Sequence, residues 1–317
     1  MKKRIALFLV FALILISVAA CTPKKVEEPE VPIVDEKPPV EEVGEYPVEI
    51  TDDFGNMVKF EKAPDTIISL APNNTEILFA LGLGDKVVGV TSFCDYPEEA
   101  LAVEKIGDFN GINLEKIIEL NPELVLNYGP GDADDNARLK EAGIQMLAFL
   151  PESIDAVINT INTIGQATGS TEQSKELTNN MMTRKDEILD LVKNADKKKV
   201  FYEIWHDPLM AAGPGSFMDH LIVLAGGTNI AEDAEGDYAQ YDLEQLIERN
   251  PEVYLTSADM PDKTPQSMIA RPGFENIEAM KTGNVHVLDA NITSRSGPRI
   301  VEALELVAKA IHPELFK

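Results

Sequence analysis

Short apolar runs separated by polar turns begin the regular part of the chain at Pro47. Val48–Thr51 and Met57–Phe60 flank five turn-forming residues at 52–56, and this arrangement predicts a β-hairpin. Ile67–Leu70 and Val87–Thr91 are short runs that are almost entirely apolar, which predicts two strands buried on both faces.

A helix is predicted between those two buried strands. Asn73-Asn74-Thr75-Glu76 contains residues that cap helix starts, the apolar pattern continues through Leu81, and Gly82 suits a helix end. Strands that alternate with helices in this way are typical of α/β proteins. We therefore predict an α/β fold whose central sheets are mostly parallel.

One stretch of the chain occurs twice. Leu114–Leu126 returns as Leu243–Leu255, with eight of the thirteen positions identical. Each copy predicts a short helix, an Asn-Pro stop and an apolar strand. Two copies so far apart indicate two similar lobes, because a solenoid would need shorter periods and more copies.

The segment between the lobes contains neither Gly nor Pro. We predict that this segment, Thr171–Lys199, is one long rigid helix that joins a lobe at 47–170 to a lobe at 200–317 and limits hinge opening between them. Its apolar residues fall roughly on one helical face. They are Leu177, Met181, Met182, Ile188, Leu189 and Val192.

The chain begins with a targeting segment and a tether. Residues 1–20 have a basic start and an apolar run, as secretory signal peptides do. Their end resembles a bacterial lipoprotein signal, so we predict that Cys21 is acylated, with a plain signal peptide as the alternative. Residues 21–46 are rich in Pro and Glu and predict a flexible acidic tether. The folded part is then expected at the extracytoplasmic face of the bacterial cell membrane.

Charge and composition exclude several functions. Basic residues number 28 and acidic residues 54, for a net charge of −26, and such a surface repels nucleic acid. Two cysteines exclude a four-cysteine zinc site, and four histidines leave little room for a multi-histidine metal centre. With Cys21 acylated, Cys94 has no disulfide partner, and we predict a part-buried thiol without a function.

Further motifs lie at Ile68–Gly82, Val88–Pro97, Ala212–Phe217, Leu224–Ile230 and Ser296–Ile300. Together with the two repeat copies they resemble the class III periplasmic-type binding proteins of ABC importers, which carry cobalamin, ferric siderophores or haem. The resemblance implies two α/β lobes, one rigid backbone helix and a ligand cleft between the lobes. It also implies delivery to a permease dimer that works with a cytoplasmic ATPase.

The resemblance is strongest to the cobalamin-binding members, and it implies a set of ligand-binding residues. A large, flat, mostly apolar ligand needs broad aromatic faces and a few polar groups. We expect the aromatic residues in loops after strands or just before helices, where they would ring the crevice of an α/β sheet. Trp205 has no counterpart in the family pattern and is included because it follows the first strand of the second lobe. The predicted set is Phe93, Phe109, Tyr128, Trp205, Tyr238, Asn291 and Arg295.

Three classes of function are weighed. The leading hypothesis is a binding protein for a corrinoid (cobalamin or a precursor such as cobinamide), which is nearly neutral. Haem, with Tyr128, Tyr238 or His206 as axial ligand, is an alternative, as is a ferric siderophore. Among siderophores, the anionic ferric catecholates would call for more basic residues than Arg295. An enzyme of the metal or chelatase type is a remote alternative. We predict no catalytic residue, no bound metal and no cofactor other than the ligand, in a monomer.

Two glutamates occupy the same position in the repeat copies. Glu115 and Glu244 each follow a predicted N-cap residue, Asn113 or Asp242, by two positions. An acid there stabilises the helix dipole. The family resemblance further implies that these glutamates contact arginine pockets on the two permease subunits.

Overall fold

The chain folds around two separate mostly parallel sheets, which the computed structural model describes over residues 46–108, 110–258 and 263–316. Phe109, Cys21, the signal peptide and nearly all of the tether lie outside the described residues, so those predictions stay predictions. Within the described ranges, all four strands of the first sheet are parallel. In spatial order they are β4 (Val87–Val90), β3 (Ile67–Ser69), β7 (Leu124–Tyr128) and β8 (Gln145–Phe149).

The second sheet is mixed. Its centre is parallel, because β13 (Val253–Ser257) pairs in parallel with both β9 (Lys198–His206) and β14 (Val285–Leu288), and β11 (Gly227–Asn229) is parallel to β9. On one side, β10 (Leu209–Ala212) extends the sheet and is antiparallel to both β9 and β12 (Tyr238–Gln240). In spatial order the strands are β12 (Tyr238–Gln240), β10 (Leu209–Ala212), β9 (Lys198–His206), β13 (Val253–Ser257) and β14 (Val285–Leu288), with β11 (Gly227–Asn229) beside the start of β9.

Two small antiparallel pairs complete the strands. The predicted hairpin is confirmed, since β1 (Val48–Thr51) pairs with β2 (Met57–Phe60). Asp52 fixes its turn: the Asp52 carboxylate accepts bonds from the backbone N–H groups of Phe54 and Asn56. The second pair is β5 (Gly107–Asp108) with β6 (Gly111–Ile112).

The helices connect the strands and cover the sheets. The first lobe contains α1 (Pro72–Ala80), α2 (Leu114–Leu120), α3 (Ala133–Glu141) and α4 (Ile154–Thr168), and the long helix is α5 (Thr171–Val192). The second lobe contains α6 (Phe217–Leu224), α7 (Leu243–Arg249), α8 (Pro265–Ile269), α9 (Glu278–Thr282), α10 (Ala290–Thr293) and α11 (Ile300–Ile311). Short 3₁₀ segments lie at Gly84–Lys86, Glu98–Ala102, Phe274–Asn276 and Pro313–Leu315.

Two helix predictions need correction. The long helix α5 ends at Val192 rather than at Lys199, because strand β9 already begins at Lys198. Helix α1 begins at Pro72, whose fixed φ suits a first helical position, with Ala71 as an N-cap that offers no side-chain bond. The predicted capping residues 73–76 therefore lie inside the helix, and all four are buried.

The two repeat copies fold alike. Asn113 caps α2 by accepting the backbone N–H of Lys116, and Asp242 caps α7 by accepting that of Gln245, as predicted. Asn121 and Asn250 then end the helices in left-handed backbone conformations, with φ of 45° and 49°. Asparagine tolerates this conformation better than most side chains do, so the same residue stops both helices.

A continuous apolar core joins the lobes. Buried side chains of the first sheet, such as Phe149, belong to the same cluster as Met181 and Ile188 of the long helix, Val200 of the second sheet and Leu304 of α11. The predicted α/β fold class with two lobes is confirmed. Among the described residues, no helix combines the length and apolar character that a membrane crossing requires.

Candidate functional site

The carboxyl ends of strands from both sheets carry the predicted ligand residues. In the first lobe, the loop after β4 holds Phe93, and Tyr128 is the last residue of β7. In the second lobe, Trp205 lies next to the end of β9, and Asn291 lies in the short helix after β14. In open α/β sheets, ligands bind outside these strand ends. The expectation that the aromatic residues all lie in loops is wrong, because Tyr128, Trp205 and Tyr238 belong to strands.

Two tyrosines approach each other from opposite lobes. The side chain of Tyr128 is 44% exposed and that of Tyr238 is 59% exposed. Partial burial raises the pKa of the Tyr238 phenol, and the nearby Tyr128, Asp237 and Glu152 raise this pKa further. Tyr128 and Glu152 belong to the first lobe, so groups of that lobe act electrostatically on Tyr238 of the second. Half-exposed rings at such a position form open walls for a flat ligand.

Trp205 and His206 form a second aromatic group at the end of β9. Their ring centroids are 5.3 Å apart, and the Trp205 Nε1–H donates to the carbonyl oxygen of Asp207 at 2.9 Å. His206 is exposed. Within the described residues, no three His, Cys, Asp or Glu side chains converge as metal ligands would.

Arg295 ties the other predicted residues into one hydrogen-bonded cluster. Its Nη1 donates to Asp95 Oδ1 at 2.7 Å and to Glu76 Oε1 at 3.2 Å. Its Nη2 donates to Asn291 Oδ1 at 2.7 Å and to the carbonyl oxygen of Phe93 at 3.5 Å. The structure therefore brings Phe93, Asn291 and Arg295 together, but it directs the guanidinium toward protein acceptors.

A second arginine completes this cluster. Arg299 forms a bidentate pair with Glu76, Nε to Oε2 at 2.9 Å and Nη2 to Oε1 at 2.7 Å. Its guanidinium carbon lies 3.9 Å from the centroid of the Tyr96 ring, a cation–π distance. We call Glu76, Asp95, Arg295 and Arg299 the ionic tie, because it joins the first lobe to the segment after β14.

The ionic tie and the tyrosine pair mark opposite ends of the cleft. Strand β4, whose loop supplies Asp95, is one edge of the first sheet, and β14, which precedes Arg295, is one edge of the second. Tyr128 lies on β7 beside the other edge of the first sheet, and Tyr238 lies on β12, the other edge of the second. The cleft between the lobes thus has an ionic end at the tie and an aromatic end at the two tyrosines. Trp205 lies on β9, in the middle of the second sheet.

A pH-dependent contribution to stability is expected from Asp95. Its hydrogen bond from Arg295 lowers the pKa of the carboxyl from 3.8, the value expected in the unfolded chain. The ion pair therefore stabilises the folded state at pH values above 3.8 and loses this effect as the pH falls through the lowered pKa. Because the Asp95 side chain is 47% exposed, the contribution should be that of a screened pair, about 0.2–1 kcal/mol.

Urea unfolding of the wild type and Asp95→Asn between pH 7 and pH 3 measures this effect. The difference in free energy of unfolding should be present at neutral pH and decrease as the pH falls below 3.8. Glu98→Gln is the matched control, since Glu98 is exposed, lies close in the chain and makes no ion pair among the described residues. A difference that persists unchanged at pH 3 would contradict the assignment.

A buried carboxylate in the second lobe was not predicted from the sequence. Glu203 on β9 is fully buried and accepts bonds from Arg271 and from the Tyr254 hydroxyl. Burial, with the Glu203 charge, raises the pKa of Tyr254 well above its usual range. Lys263 Nζ lies 3.9 Å from Glu203 Oε1. These contacts fix β9, two residues before Trp205 in the strand, against β13 and the segment around Arg271.

Three further predicted residues, Glu115, Glu244 and Cys94, do not take part in the hydrogen-bonded cluster around Arg295. Glu115 and Glu244 are exposed in the first turns of α2 and α7, and neither makes an ion pair within the described part of the chain. Cys94 is free and fully buried rather than part-buried; its sulfur accepts the hydroxyl of Thr75 at 3.1 Å.

Glu76 and Arg299 are the main residues that sequence reasoning missed. Both stand inside motifs that carried the family resemblance, Ile68–Gly82 and Ser296–Ile300. Their pairing spans 223 positions of the chain, which no local pattern reveals. A glutamate at a mostly apolar helix position was the available signal.

The chain matches known proteins along most of its length. A family model described as "periplasmic binding protein" matches residues 67–292. An uncharacterized ABC transporter substrate-binding lipoprotein, YvrC, from Bacillus subtilis is 37% identical over 86% of this chain and 88% of its own. A vitamin B12-binding protein from Vibrio vulnificus is 30% identical over 80% of this chain and 92% of its own. The solved structure of the periplasmic haem-binding protein RhuT from Roseiflexus is 26% identical, with a TM-score of 0.72 over 79% of this chain and 99% of its own.

Proposed function

The chain belongs to the periplasmic binding protein family, and from that premise we propose that it is the substrate-binding lipoprotein of an ABC importer. It captures a corrinoid (cobalamin or a precursor) and delivers it to the permease, and it binds rather than transforms this cargo. The lipid on Cys21 holds it, as a monomer, at the extracytoplasmic face of the bacterial cell membrane. The two relatives named above, a substrate-binding lipoprotein and a vitamin B12-binding protein, support this proposal.

The observation that carries the ligand class is the pair of half-exposed tyrosines from opposite lobes. Tyr128 and Tyr238 offer two apolar faces across the cleft, and Trp205 and Phe93 extend these faces. A corrin ring is broad and carries amides on its rim, so it suits aromatic walls with a few polar groups. Asn291 and the predicted Phe109 complete the proposed site, with Arg295 holding its polar end in place.

Haem is the second candidate. The exposed His206 and the half-exposed Tyr128 and Tyr238 could supply an axial ligand to iron, and a haem-binding protein shares the fold. A ferric catecholate siderophore is less favoured, because its several negative charges would need several free basic groups. Both alternatives are anionic, which separates them experimentally from a corrinoid.

Titration with four ligand classes tests the proposal. Cobalamin, cobinamide, haemin and a ferric siderophore are added separately to the purified soluble protein, and heat and absorbance are recorded. We expect submicromolar binding of cobalamin or cobinamide at one site per monomer. Tight binding of haemin or siderophore with no corrinoid heat would overturn the corrinoid assignment while leaving the importer role standing.

The importer contact is proposed at the two repeat glutamates. Glu115 and Glu244 project from equivalent helices of the two lobes and are free of ion pairs within the described residues. A pseudo-symmetric pair of carboxylates suits a permease made of two equivalent subunits, one carboxylate to each. The membrane-bound permease and its ATPase are thus the proposed partners.

A further inference from the structure

The ionic tie balances its own charges. It contains two guanidinium groups, Arg295 and Arg299, and two carboxylates, Glu76 and Asp95, all within salt-bridge distance. Glu76 is 3% exposed and contacts both arginines. At the ionic end of the cleft, each positive charge is therefore matched by a negative charge of the protein itself.

The donors of Arg295 are also occupied. A guanidinium has five N–H groups, and the four on its terminal nitrogens face acceptors of the protein. Asp95 and Glu76 accept from Nη1, while Asn291 and the Phe93 carbonyl accept from Nη2. A ligand carboxylate or catecholate could bind this arginine only by displacing one of these partners.

The two carboxylates differ in how easily they could be displaced. Breaking the contact to Glu76 would leave a buried charge with fewer partners, which is strongly unfavourable. Asp95 is 47% exposed, so it holds the outer side of Arg295 where a ligand would arrive. Asp95 is thus the residue that separates the guanidinium from an incoming anion.

We propose that Asp95 and Glu76 determine specificity by neutralising Arg295 and Arg299, and that this charge balance excludes anionic ligands from the cleft. The inference rests on the proposed function, in that the cleft is the ligand site. It assigns the choice of a near-neutral cargo to two acidic residues of the first lobe. A purely structural tie would need only the buried Glu76; it would not need the half-exposed Asp95.

Asp95→Asn tests the proposal. The substitution keeps the size of the side chain and removes its charge, which leaves Arg295 with unbalanced positive charge at the cleft. Haemin, an iron(III) tris-catecholate complex and cobinamide are titrated against the wild type, Asp95→Asn and Glu98→Gln. Glu98→Gln makes the same change in net charge without touching Arg295, and thermal melting confirms that all three proteins are folded.

We expect Asp95→Asn to raise the affinity for haemin or tris-catecholate, relative to that for cobinamide, by roughly tenfold or more, as expected for one new hydrogen bond to a charged group. The gain should decrease with added salt. Glu98→Gln should show the wild-type ratio. Equal anion affinities in Asp95→Asn and Glu98→Gln would overturn the proposal.

The result separates this inference from the proposed function. Wild-type protein that binds haemin tightly would refute both the corrinoid assignment and the exclusion of anions. Wild-type protein that binds none of the three ligands tightly would refute only the corrinoid assignment, because the comparison of Asp95→Asn with Glu98→Gln would still decide the role of Asp95. A corrinoid-binding wild type whose Asp95→Asn variant gains no anion affinity would keep the function and refute the inference. Glu76→Gln, if folded, should raise the same ratio.

Discussion

Replacing both Glu115 and Glu244 by alanine should reduce ligand uptake to background while ligand affinity and folding stay close to wild type. Both side chains are exposed at the first turns of short helices, and neither makes an ion pair within the described part of the chain. Removing one partner of a charged pair at an interface costs about 2–5 kcal/mol. Losing one such pair on each lobe would leave little of the affinity for the permease.

Uptake into proteoliposomes or cells, with calorimetry on the same protein, measures this effect. The repeat supplies a matched control, since Glu119 and Glu248 are also equivalent, exposed and in the same two helices, but in the last turn. Glu119→Ala with Glu248→Ala makes the same change in net charge and should retain most uptake. Wild-type uptake in the Glu115/Glu244 variant would refute the docking role, and lost ligand binding would reassign both residues.

Tyr128→Ala and Tyr238→Ala should each weaken ligand binding by about 1–3 kcal/mol, the loss expected when a large apolar contact is removed. The two half-exposed residues lie at strand ends of different lobes, so both should contact one ligand. Folding should change little, because both side chains are about half exposed. The same loss is expected for Phe109→Ala, which the sequence alone predicts.

Calorimetry of the single and double variants distinguishes a shared ligand from separate effects. Tyr→Phe at either position keeps the apolar face and should retain most of the affinity for a corrinoid. Leu191→Ala is the control, since Leu191 is a half-exposed apolar residue near the end of α5, just before the start of β9 and not at a carboxyl end of a strand. Unchanged affinity in both tyrosine variants would mean that the ligand binds elsewhere.

The parts of the fold that the sequence predicted are those in which the residues of a segment determine the structure of that segment. The repeat predicted two similar lobes, and the structure explains why so many of its positions are identical. Asn121 and Asn250 share a left-handed conformation. Glu123 and Glu252 share a second role, since each carboxylate accepts a backbone N–H at the neighbouring chain segment, that of Asp65 or Lys199. Such constraints recur at the same positions of both copies and therefore leave a repeated mark in the sequence.

The site depended on contacts that no short segment contains. Residues 73–76 looked like a helix start because Asn and Thr favour the N-cap and Glu favours the first turn. In the folded protein Glu76 instead faces two arginines more than two hundred positions away. Arg295 was correctly placed near Phe93 and Asn291, but its engagement with Asp95 could not be seen. Ion pairs between residues that are distant in the chain determine such roles, and they leave no periodic pattern in the sequence.

The distance along the chain between Glu76 and its arginines also bears on the order in which the protein is made. Synthesis proceeds from the amino terminus, so the first sheet and α1 emerge long before Arg295 and Arg299, which stand close to the end of the chain. Until those residues arrive, Glu76 lacks both its counter-charges and the segment around Gly297 that packs against its carboxylate. The ionic tie can therefore form only after synthesis has passed Arg299, so the contact between the first lobe and the segment after β14 is among the last to be made.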